Sequence, residues 1–555
     1  MESSAPQFAA WLDEFFASYY RHRPVNATFI GVHNYDHRLP DFSPQGVDEC
    51  VAEMETLLKT LRSLPPEPLT EAQRMDRKLA EGFLEIQLWE YGSSHFHLGN
   101  PSLYTGEAIF GVLSLFRRDF APLEQRLEAA IDRMNAIPSL LNQGKANVRQ
   151  APPAWTERAT RECTGALAFL GDGLEIFMRD NGVDSKSLRN AADTASAAFR
   201  DFQCYLETEL RRRPTEEYAC GGEAFNLMLR QGHFLDMDAS EVEIYAWDQL
   251  KGSEAKLEAY AGDFGASDWR SALAQLADHQ PSVERYYPRH WELWEACRAA
   301  AEEHELLTWP DCPIEFVPRP SWARGAAPHL YFLPYHSAPA FDPLPAVDYL
   351  VPPIDKDMPP ETQERLLRAT NDSVIKLNHV VHHGSIGHHV QNWYAYKAQS
   401  RIGQIAAVDC ASRLALFCGS TMAEGWATYT TGLMDEVGFL TSLEHYSLHH
   451  ARLRASARAI VDVNLHTGKF SFDEAEAFYR DYVAMSEKAS YAEVVKNSMF
   501  PGAAVMYLMG SDMIRRLREE LSTKQGAAFN LKQFHDRFLS YGSVPVSLIR
   551  EAMKR

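Results

Sequence analysis

Hydrophobic residues recur along most of this chain with the three- and four-residue spacing of amphipathic helices. The pattern is clearest over residues 7–22, where the apolar stripe consists of Phe8, Trp11, Leu12, Phe15, Phe16 and Tyr19. A capping box at Thr70 to Gln73 and an N-cap near Asp238 mark the starts of two further helices. The same spacing predicts helices at 46–64, 70–90, 105–117, 119–135, 138–151, 155–181, 185–212, 221–236, 239–263, 269–278 and 288–305.

After residue 305 the pattern changes to three short β-prone runs bounded by prolines, at 313–318, 329–334 and 347–352. Flanking prolines favour edge or ribbon strands over a large central sheet. Helical spacing then returns at 362–383, 385–399, 410–435, 441–466, 472–486, 490–498, 501–521 and 530–540. The expected fold is mainly α, a large multi-helix body with a small β-element at about 312–352.

With 555 residues the chain is long enough for several domains. Long helical enzymes often form one continuous body with two lobes. We expect an N-terminal helical lobe over 1–225 and a C-terminal lobe over 226–555 that carries the β-element. The two lobes would form one unit with a central cleft.

Charge and cysteine usage narrow the classes of function. Lys and Arg number 55 and Asp and Glu 75, so the net charge of −20 argues against nucleic acid and anionic membrane surfaces as partners. The eight cysteines form no C-x-x-C pair, which favours free thiols in a reducing compartment. No apolar run approaches the ~20 residues of a membrane helix, and Met1–Pro6 does not resemble a signal peptide. We therefore expect a cytoplasmic protein.

One stretch carries the chemistry: His382, His383, His388 and His389 lie within eight residues, with His379 just upstream. Neutral imidazole is the commonest ligand for zinc and similar ions, so the cluster predicts a metal site. The alternative is a set of ordinary surface or hydrogen-bonded core histidines.

The local geometry of this stretch depends on two glycines. On an uninterrupted helix His382 and His389 would share a face, and His388 would lie about 120° from His382. Gly384 and Gly387 make an uninterrupted helix doubtful, because each is unfavourable in a helix interior. A kink or π-bulge here would bring His388 to the His382 face.

A carboxylate third ligand is available at Glu424, in the segment Glu424-Gly425-Trp426-Ala427-Thr428-Tyr429. Two histidines and one Glu, with an open position for water, match a catalytic zinc site. In H-E-x-x-H sites a Glu directly after the first histidine takes the proton from water. Here that position holds His383.

These residues resemble the domain-of-unknown-function 885 family, uncharacterised bacterial proteins similar to zinc metallopeptidases of the gluzincin type. The resemblance spans nearly the whole chain. It rests on residues 382–391, aligned with the family pattern H-E-x-x-P-G-H-H-x-Q, and on E-G-W-A-T-Y at 424–429. Residues 458–466 align with R-x-x-x-D-x-x-x-H, residues 501–510 align with P-G-Q-A-x-x-Y-x-x-G, and the segments 24–31 and 39–43 resemble the family's opening.

The resemblance implies a zincin-like body with zinc held by His382, His388 and Glu424, and it prefers His388 to His389. It assigns Tyr507 to oxyanion stabilisation and His466, with Asp462 one turn earlier, to substrate orientation or charge stabilisation. Ordinary core packing is the alternative for Tyr507 and His466.

The same resemblance assigns Gln391 and Lys496 to substrate binding. A β-ribbon over 329–351 would suit pairing with an extended peptide, or would be a structural hairpin.

The chain departs from the family pattern where chemistry is expected. The departures are His383 for the Glu base, Ile386 for Pro, Lys496-Asn497 for Arg-Tyr, and Ala503 for Gln. His383 could itself act as the base or as an additional metal ligand. Two functions follow: a zinc-dependent hydrolase of peptide or amide bonds, and a catalytically inactive relative that binds a peptide or small molecule in the retained cleft. A third interpretation is another metal-assisted reaction with His383 as acid or base.

Overall fold

The computed structural model describes residues 4–65, 68–330, 334–337, 339–342, 346–410, 413–414 and 420–554. These residues are mainly helical, which confirms the predicted fold class. The chain divides into two compact units: unit 1 is Met1–Tyr218, Arg319–Leu344 and Val408–Leu416, and unit 2 is Ala219–Pro318, Pro345–Ala407 and Phe417–Arg555. Within the described part of the chain, no helix is both long and apolar enough to cross a bilayer.

Unit 1 is built from helices in its first stretch of chain. The predicted stripe of the first helix is buried, and the Thr70 capping box opens the fourth helix as expected. The helices are α1 (Ser4–His22), α2 (Pro24–Ile30), α3 (Pro44–Ser63), α4 (Glu71–Tyr91), α5 (Pro101–Phe116), α6 (Leu123–Asn147), α7 (Pro153–Ala168), α8 (Leu174–Asp180) and α9 (Lys186–Thr208). Short turns of 3-10 or π-helix lie at His33–Tyr35, Phe169–Gly173, Leu210–Arg212 and Ser321–Ala323.

Unit 2 contains every residue of the histidine stretch. Its helices are α10 (Gly222–Leu227), α11 (Ala239–Tyr260), α12 (Trp269–Ala274), α13 (Tyr286–Glu303), α14 (Pro360–Ala369), α15 (His388–Ala395), α16 (Arg401–Ile405), α17 (Ser420–Glu436), α18 (Ser442–His466), α19 (Phe472–Val483), α20 (Glu487–Met499), α21 (Met506–Gln525), α22 (Leu531–Ser540) and α23 (Val546–Lys554). A π-helix spans Val374–Gly384, a shorter one spans Met228–Gly232, and 3-10 turns lie at Ala261–Phe264, Gln275–Asp278 and Gly526–Ala528.

The β-structure is small, and its pairing differs from the prediction. Strands β1 (Ile314–Pro318) and β2 (Val347–Val351) pair in parallel, with Ile314 opposite Val347. Because β1 and β2 pair in parallel, these two strands do not form a hairpin. Of that run, His329 and Leu330 lie in a turn, and 331–333 fall outside the described residues. An antiparallel pair, β3 (Asp409–Cys410) with β4 (Arg413–Leu414), lies in a stretch predicted to be helical.

The helix predicted over 362–383 is two elements. Helix α14 ends at Ala369, and the side chain of Asn371 accepts a hydrogen bond from the backbone N–H of Val374, where the π-helix begins. An Asn side chain that satisfies a backbone donor in this way competes with continuous helix. His379, His382 and His383 therefore lie on a separate helix with wider turns, which the hydrophobic spacing did not reveal.

Candidate metal centre

The two histidine-bearing helices meet at a sharp break. His382 lies near the end of the π-helix and His388 is the first residue of α15. Gly387 lies in the break, where its N–H donates to the Val381 carbonyl at 2.9 Å. A Cβ at Gly387 would lie 2.0 Å from the His382 carbonyl oxygen, so only glycine fits. The break brings the rings of His382 and His388 to a centroid separation of 4.8 Å.

The break is held by neighbouring side chains. The indole N–H of Trp294 on α13 donates to the Gly384 carbonyl at 3.0 Å. The indole N–H of Trp426 on α17 donates to the Ile386 carbonyl at 2.9 Å. These bonds satisfy buried carbonyls that a broken helix leaves without intrahelical donors. The chain between the two histidines is thereby fixed from two sides.

Glu424 reaches the histidines because α17 packs directly against α21. A Cβ at Gly425 would lie 2.5 Å from the backbone carbon of Gly510, and one at Gly510 would lie 2.1 Å from the Thr421 carbonyl oxygen. The two backbones are therefore in contact at this crossing. In the segment 424–426, Glu424 faces the histidines, Gly425 packs on α21 and Trp426 holds the break.

Three polar atoms converge where these elements meet. Oε2 of Glu424 lies 3.4 Å from Nε2 of His382 and 3.5 Å from Nε2 of His388. This oxygen is buried and has no hydrogen-bond partner among the described residues, although both nitrogens are close. A buried carboxylate oxygen without a partner is costly, so the arrangement calls for a ligand.

The spacing suits a tetrahedral zinc ion. Zinc binds imidazole nitrogen and carboxylate oxygen at about 2.0–2.1 Å, which places adjacent tetrahedral ligand atoms about 3.3 Å apart. The two measured separations, 3.4 and 3.5 Å, are close to this value. Burial lowers the pKa of His382, and the backbone of Ala427, one turn after Glu424, lies near enough to oppose that shift.

His383 adds a third imidazole. The candidate ligand atoms of His382, His383 and His388 all lie within 4.8 Å of one another. Nδ1 of His383 donates to the Asn378 carbonyl at 2.7 Å, so the neutral ring carries its lone pair on Nε2. The site thus offers a second donor set in which His383 joins His382 and His388.

The electrostatics favour neutral imidazoles and an ionised carboxylate. Burial lowers the pKa of His382, and burial together with the neighbouring His382 and His388 lowers the pKa of His383 well below 6.5. Burial alone would raise the pKa of Glu424, but His388 and His382 hold it well below its usual value. These are the protonation states in which such groups bind a divalent cation.

The structure separates two further residues of the histidine stretch from this convergence. Nε2 of buried His389 bonds to the Cys312 carbonyl at 2.8 Å, so its ring faces a different backbone segment. The side-chain amide of Gln391, predicted to bind substrate, is fully buried and donates to the Ser543 hydroxyl at 2.9 Å.

His466 and Asp462 lie in the interior of unit 2. Nε2 of His466 bonds to the Asn497 carbonyl at 2.9 Å. The Asp462 carboxylate accepts the backbone N–H groups of Gly502 and Ala504 at 3.1 and 2.8 Å. These contacts match the core alternative and hold the turn at 501–505.

Tyr507 and Lys496 lie beside a separate group of charges. The Arg458 guanidinium is 4.6 Å from the centroid of the Tyr507 ring, and the Lys496 ammonium is 6.0 Å from it. Arg458 also bonds to Glu493 at 2.8 Å. The family resemblance includes the Arg458 position and assigns it no role.

Sequence reasoning also missed the residues that support the centre. For Trp294 no local signal exists, because the Gly384 carbonyl that it binds is 90 positions away. For Trp426 a local signal exists, because this residue stands in the same E-G-W segment as the carboxylate of Glu424.

Comparisons with known proteins identify a family and a shared fold. A family described as "Bacterial protein of unknown function (DUF885)" matches residues 24–553. A search of curated proteins finds no match. A protein from Shewanella oneidensis described as a "putative lipoprotein of unknown function" is 22% identical, with a TM-score of 0.79 over 99% of this chain and 100% of that one. A "putative lipoprotein" from Colwellia psychrerythraea is 15% identical, with a TM-score of 0.81 over 100% and 99%. At these identities the likeness shows a shared fold.

Proposed function

Because the chain belongs to the family of bacterial proteins DUF885, whose function is unknown, we propose from its own geometry that it is a metal-dependent hydrolase of peptide or amide bonds. In this proposal His382, His388 and Glu424 hold a zinc ion in a gluzincin-like site. The observation that carries it is the buried Oε2 of Glu424, which has no hydrogen-bond partner among the described residues and lies within 3.5 Å of two imidazole nitrogens.

A bound zinc ion would supply Lewis acidity toward the scissile carbonyl and would acidify water. The chain itself supplies orientation, since the indoles of Trp294 and Trp426 fix the break between the two histidines. His383 stands where a Glu base is expected, and its hydrogen bond to Asn378 leaves Nε2 to accept a proton. Burial makes this imidazole a weak base, so we expect slow hydrolysis.

The zinc hypothesis is tested on protein purified without chelator. We expect about one zinc per chain by elemental analysis, and loss of that zinc in His382→Ala. His445→Gln is the matched control, because this exposed histidine of unit 2 pairs with Asp435 instead. Wild-type protein that stays free of zinc and other divalent metals after metal loading would contradict the proposal. Hydrolysis is then measured on a peptide library with the metal-loaded protein.

A catalytically inactive relative that binds a peptide or small molecule is the second candidate. The lowered pKa of His383 favours it, because a weak base stands at the position of proton transfer. His383→Glu distinguishes the two. Restored hydrolysis, about 10²–10⁴-fold above wild type, would indicate a hydrolase limited by its base. Tight peptide binding without hydrolysis in both forms would favour the binding protein.

Two other expectations stay predictions. A cytoplasmic location is expected from the sequence, and cell fractionation would test it. A different metal-assisted reaction with His383 as acid or base would show as activity of the zinc-loaded protein on non-peptide amides or esters, with peptides untouched.

A further inference from the structure

A group of cations lies in unit 2 apart from the histidines. Arg454 and Arg458 are one turn apart on α18, and both bond to Glu493 on α20. Arg454 reaches Oε2 at 2.8 Å, and Arg458 reaches Oε1 and Oε2 at 2.9 and 2.8 Å. Two guanidinium groups thus share one carboxylate, and one positive charge is left without a counter-charge in the group.

The shared carboxylate stays ionised across the physiological range. Burial opposes ionisation of Glu493, but Arg458 and Arg454 lower its pKa to about 2. Glu493 therefore neutralises one cation at neutral pH. The Arg454 side chain is 42% exposed and that of Arg458 is 17% exposed, so the excess charge is open to solvent. Nε of Arg454 is buried and finds no acceptor among the described residues.

Two further groups complete the surface. The ring of Tyr507 lies under Arg458, and the ammonium of Lys496 lies 6.0 Å from the same ring. Both side chains are partly exposed. The group presents three cations and a phenol beside one carboxylate, and guanidinium forks match carboxylates.

The cluster lies near the candidate metal centre through the backbone contact of α17 and α21. Tyr507 is one helical turn before Gly510, which touches Gly425, the neighbour of Glu424. Adding one helical turn, the glycine contact and one peptide unit places the Cα atoms of Tyr507 and Glu424 within about 13 Å of each other. A short peptide spans this distance.

We propose that Arg454, Arg458 and Lys496, with Tyr507, bind a carboxylate of the substrate while the scissile bond lies at the histidine centre. This rests on the proposed hydrolase function and adds a substrate class, peptides that carry a free carboxylate near the cleaved bond. The carboxylate is either the C-terminus or an acidic side chain, because both present the same anionic oxygens.

The test uses zinc-loaded full-length protein and two matched pairs of N-acetylated alanine peptides. One pair differs in a free or amidated C-terminus, and the other differs in Glu or Gln within an amidated peptide. We expect the carboxylate-bearing member of at least one pair to have a kcat/KM about 10- to 100-fold higher. In Arg454→Gln and Lys496→Met this ratio should fall toward one, because kcat/KM for the carboxylate-bearing peptides falls more than kcat/KM for the neutral ones. Arg550→Gln is the control, because Arg550 pairs with Glu520 at an exposed position of unit 2.

Failure of this inference differs from failure of the proposed hydrolase. Equal hydrolysis of charged and neutral peptides would overturn the carboxylate site and leave the hydrolase standing. If no peptide is cleaved, binding of the same peptide pairs is measured by calorimetry. Tighter binding of the carboxylate form, lost in Arg454→Gln, supports the site, and equal binding overturns it.

Discussion

Two groupings of histidine and carboxylate lie in unit 2, and they differ in the hydrogen bonds that the carboxylate makes. At the break, Glu424 and two imidazoles face one another at 3.4 and 3.5 Å, and the carboxylate oxygen has no hydrogen-bond partner among the described residues. At the 501–505 turn, Asp462 accepts two backbone N–H groups and His466 bonds to the Asn497 carbonyl. Both groupings combine histidine with a carboxylate residue, and they differ in the groups that these side chains contact.

This difference separates a binding site from a structural support. The Asp462 carboxylate bonds to backbone N–H groups, so it stabilises a turn and has fewer lone pairs left for a ligand. Side chains that face one another without hydrogen bonds keep their lone pairs for an ion. The direction of each polar atom, more than the residue types in a motif, distinguishes the two roles.

The largest expected effect is on metal binding. Glu424→Gln removes one of three ligands and should weaken zinc binding about 10³-fold, because loss of an outer-sphere partner alone costs 10- to 100-fold. The melting temperature of the metal-free form should stay within about 3 °C of wild type, since the two side chains are nearly isosteric. Zinc affinity is measured by competition with a chromogenic chelator. Unchanged zinc affinity would remove Glu424 from the site.

The converse change is Asp462→Ala. It leaves the Gly502 and Ala504 N–H groups without their acceptor, and we expect a loss of about 2–4 kcal/mol in the free energy of unfolding. Urea denaturation measures the change. Zinc stoichiometry of the folded variant should equal that of wild type. Asp435→Ala is the control, because its partner His445 is exposed and such pairs contribute about 0–1 kcal/mol.

The third prediction concerns pH and the same carboxylate. Burial raises the pKa of Asp462 to about 7, although the Gly502, Ala504 and Val505 N–H groups oppose the rise. The folded state therefore holds a proton that the unfolded chain releases near pH 4, so stability falls as pH rises from about 4 to 7 and is constant above.

We expect Asp462→Asn, which does not titrate, to remove about 1–3 kcal/mol of this decline between pH 5 and 8. Unfolding in urea at both pH values measures it. A wild-type protein whose stability does not fall over this range relative to the variant would show that Asp462 is ionised throughout.

The smallest effect is expected at the break itself. Trp426→Phe keeps the aromatic packing and removes the donor to the Ile386 carbonyl, which should cost about 1–2 kcal/mol of stability and about tenfold in zinc affinity. Trp393→Phe is the matched control, since its indole bonds to the Asp311 carbonyl at an exposed position. A loss of stability with no change in zinc affinity would show that the break does not position the ligands.

Much of the fold follows from local pattern. The aromatic stripe of α1, the capping box at Thr70 and the N-cap near Asp238 are local signals, and the structure confirms them. Parallel pairing of β1 with β2 is not local, because the two strands are separated by residues that belong to unit 1. Proline-bounded runs predict strands and carry no information on partner or direction.

The candidate site shows the same division between local and long-range signals. Clustered histidines indicated a metal centre, and the two glycines indicated a break. The orientation of His388 and His389 depends on where a π-helix ends, which a helical wheel of 100° per residue does not describe. The roles of His466 and Gln391 depend on acceptors and donors far away in the sequence, at Asn497 and Ser543.

The π-helix at Val374–Gly384 has a consequence for changes in chain length. Turns with i→i+5 hydrogen bonds hold more residues than α-helical turns, and such segments differ from an α-helix by inserted residues. A single-residue deletion upstream of His382 that the segment does not absorb by tightening toward α-helix would turn His382 by about 100° about the helix axis, away from Glu424. Such a single-residue deletion would therefore abolish metal binding although His382, His388 and Glu424 all remain in the chain. Conversely, an α-helical relative of this protein could acquire the centre by one insertion.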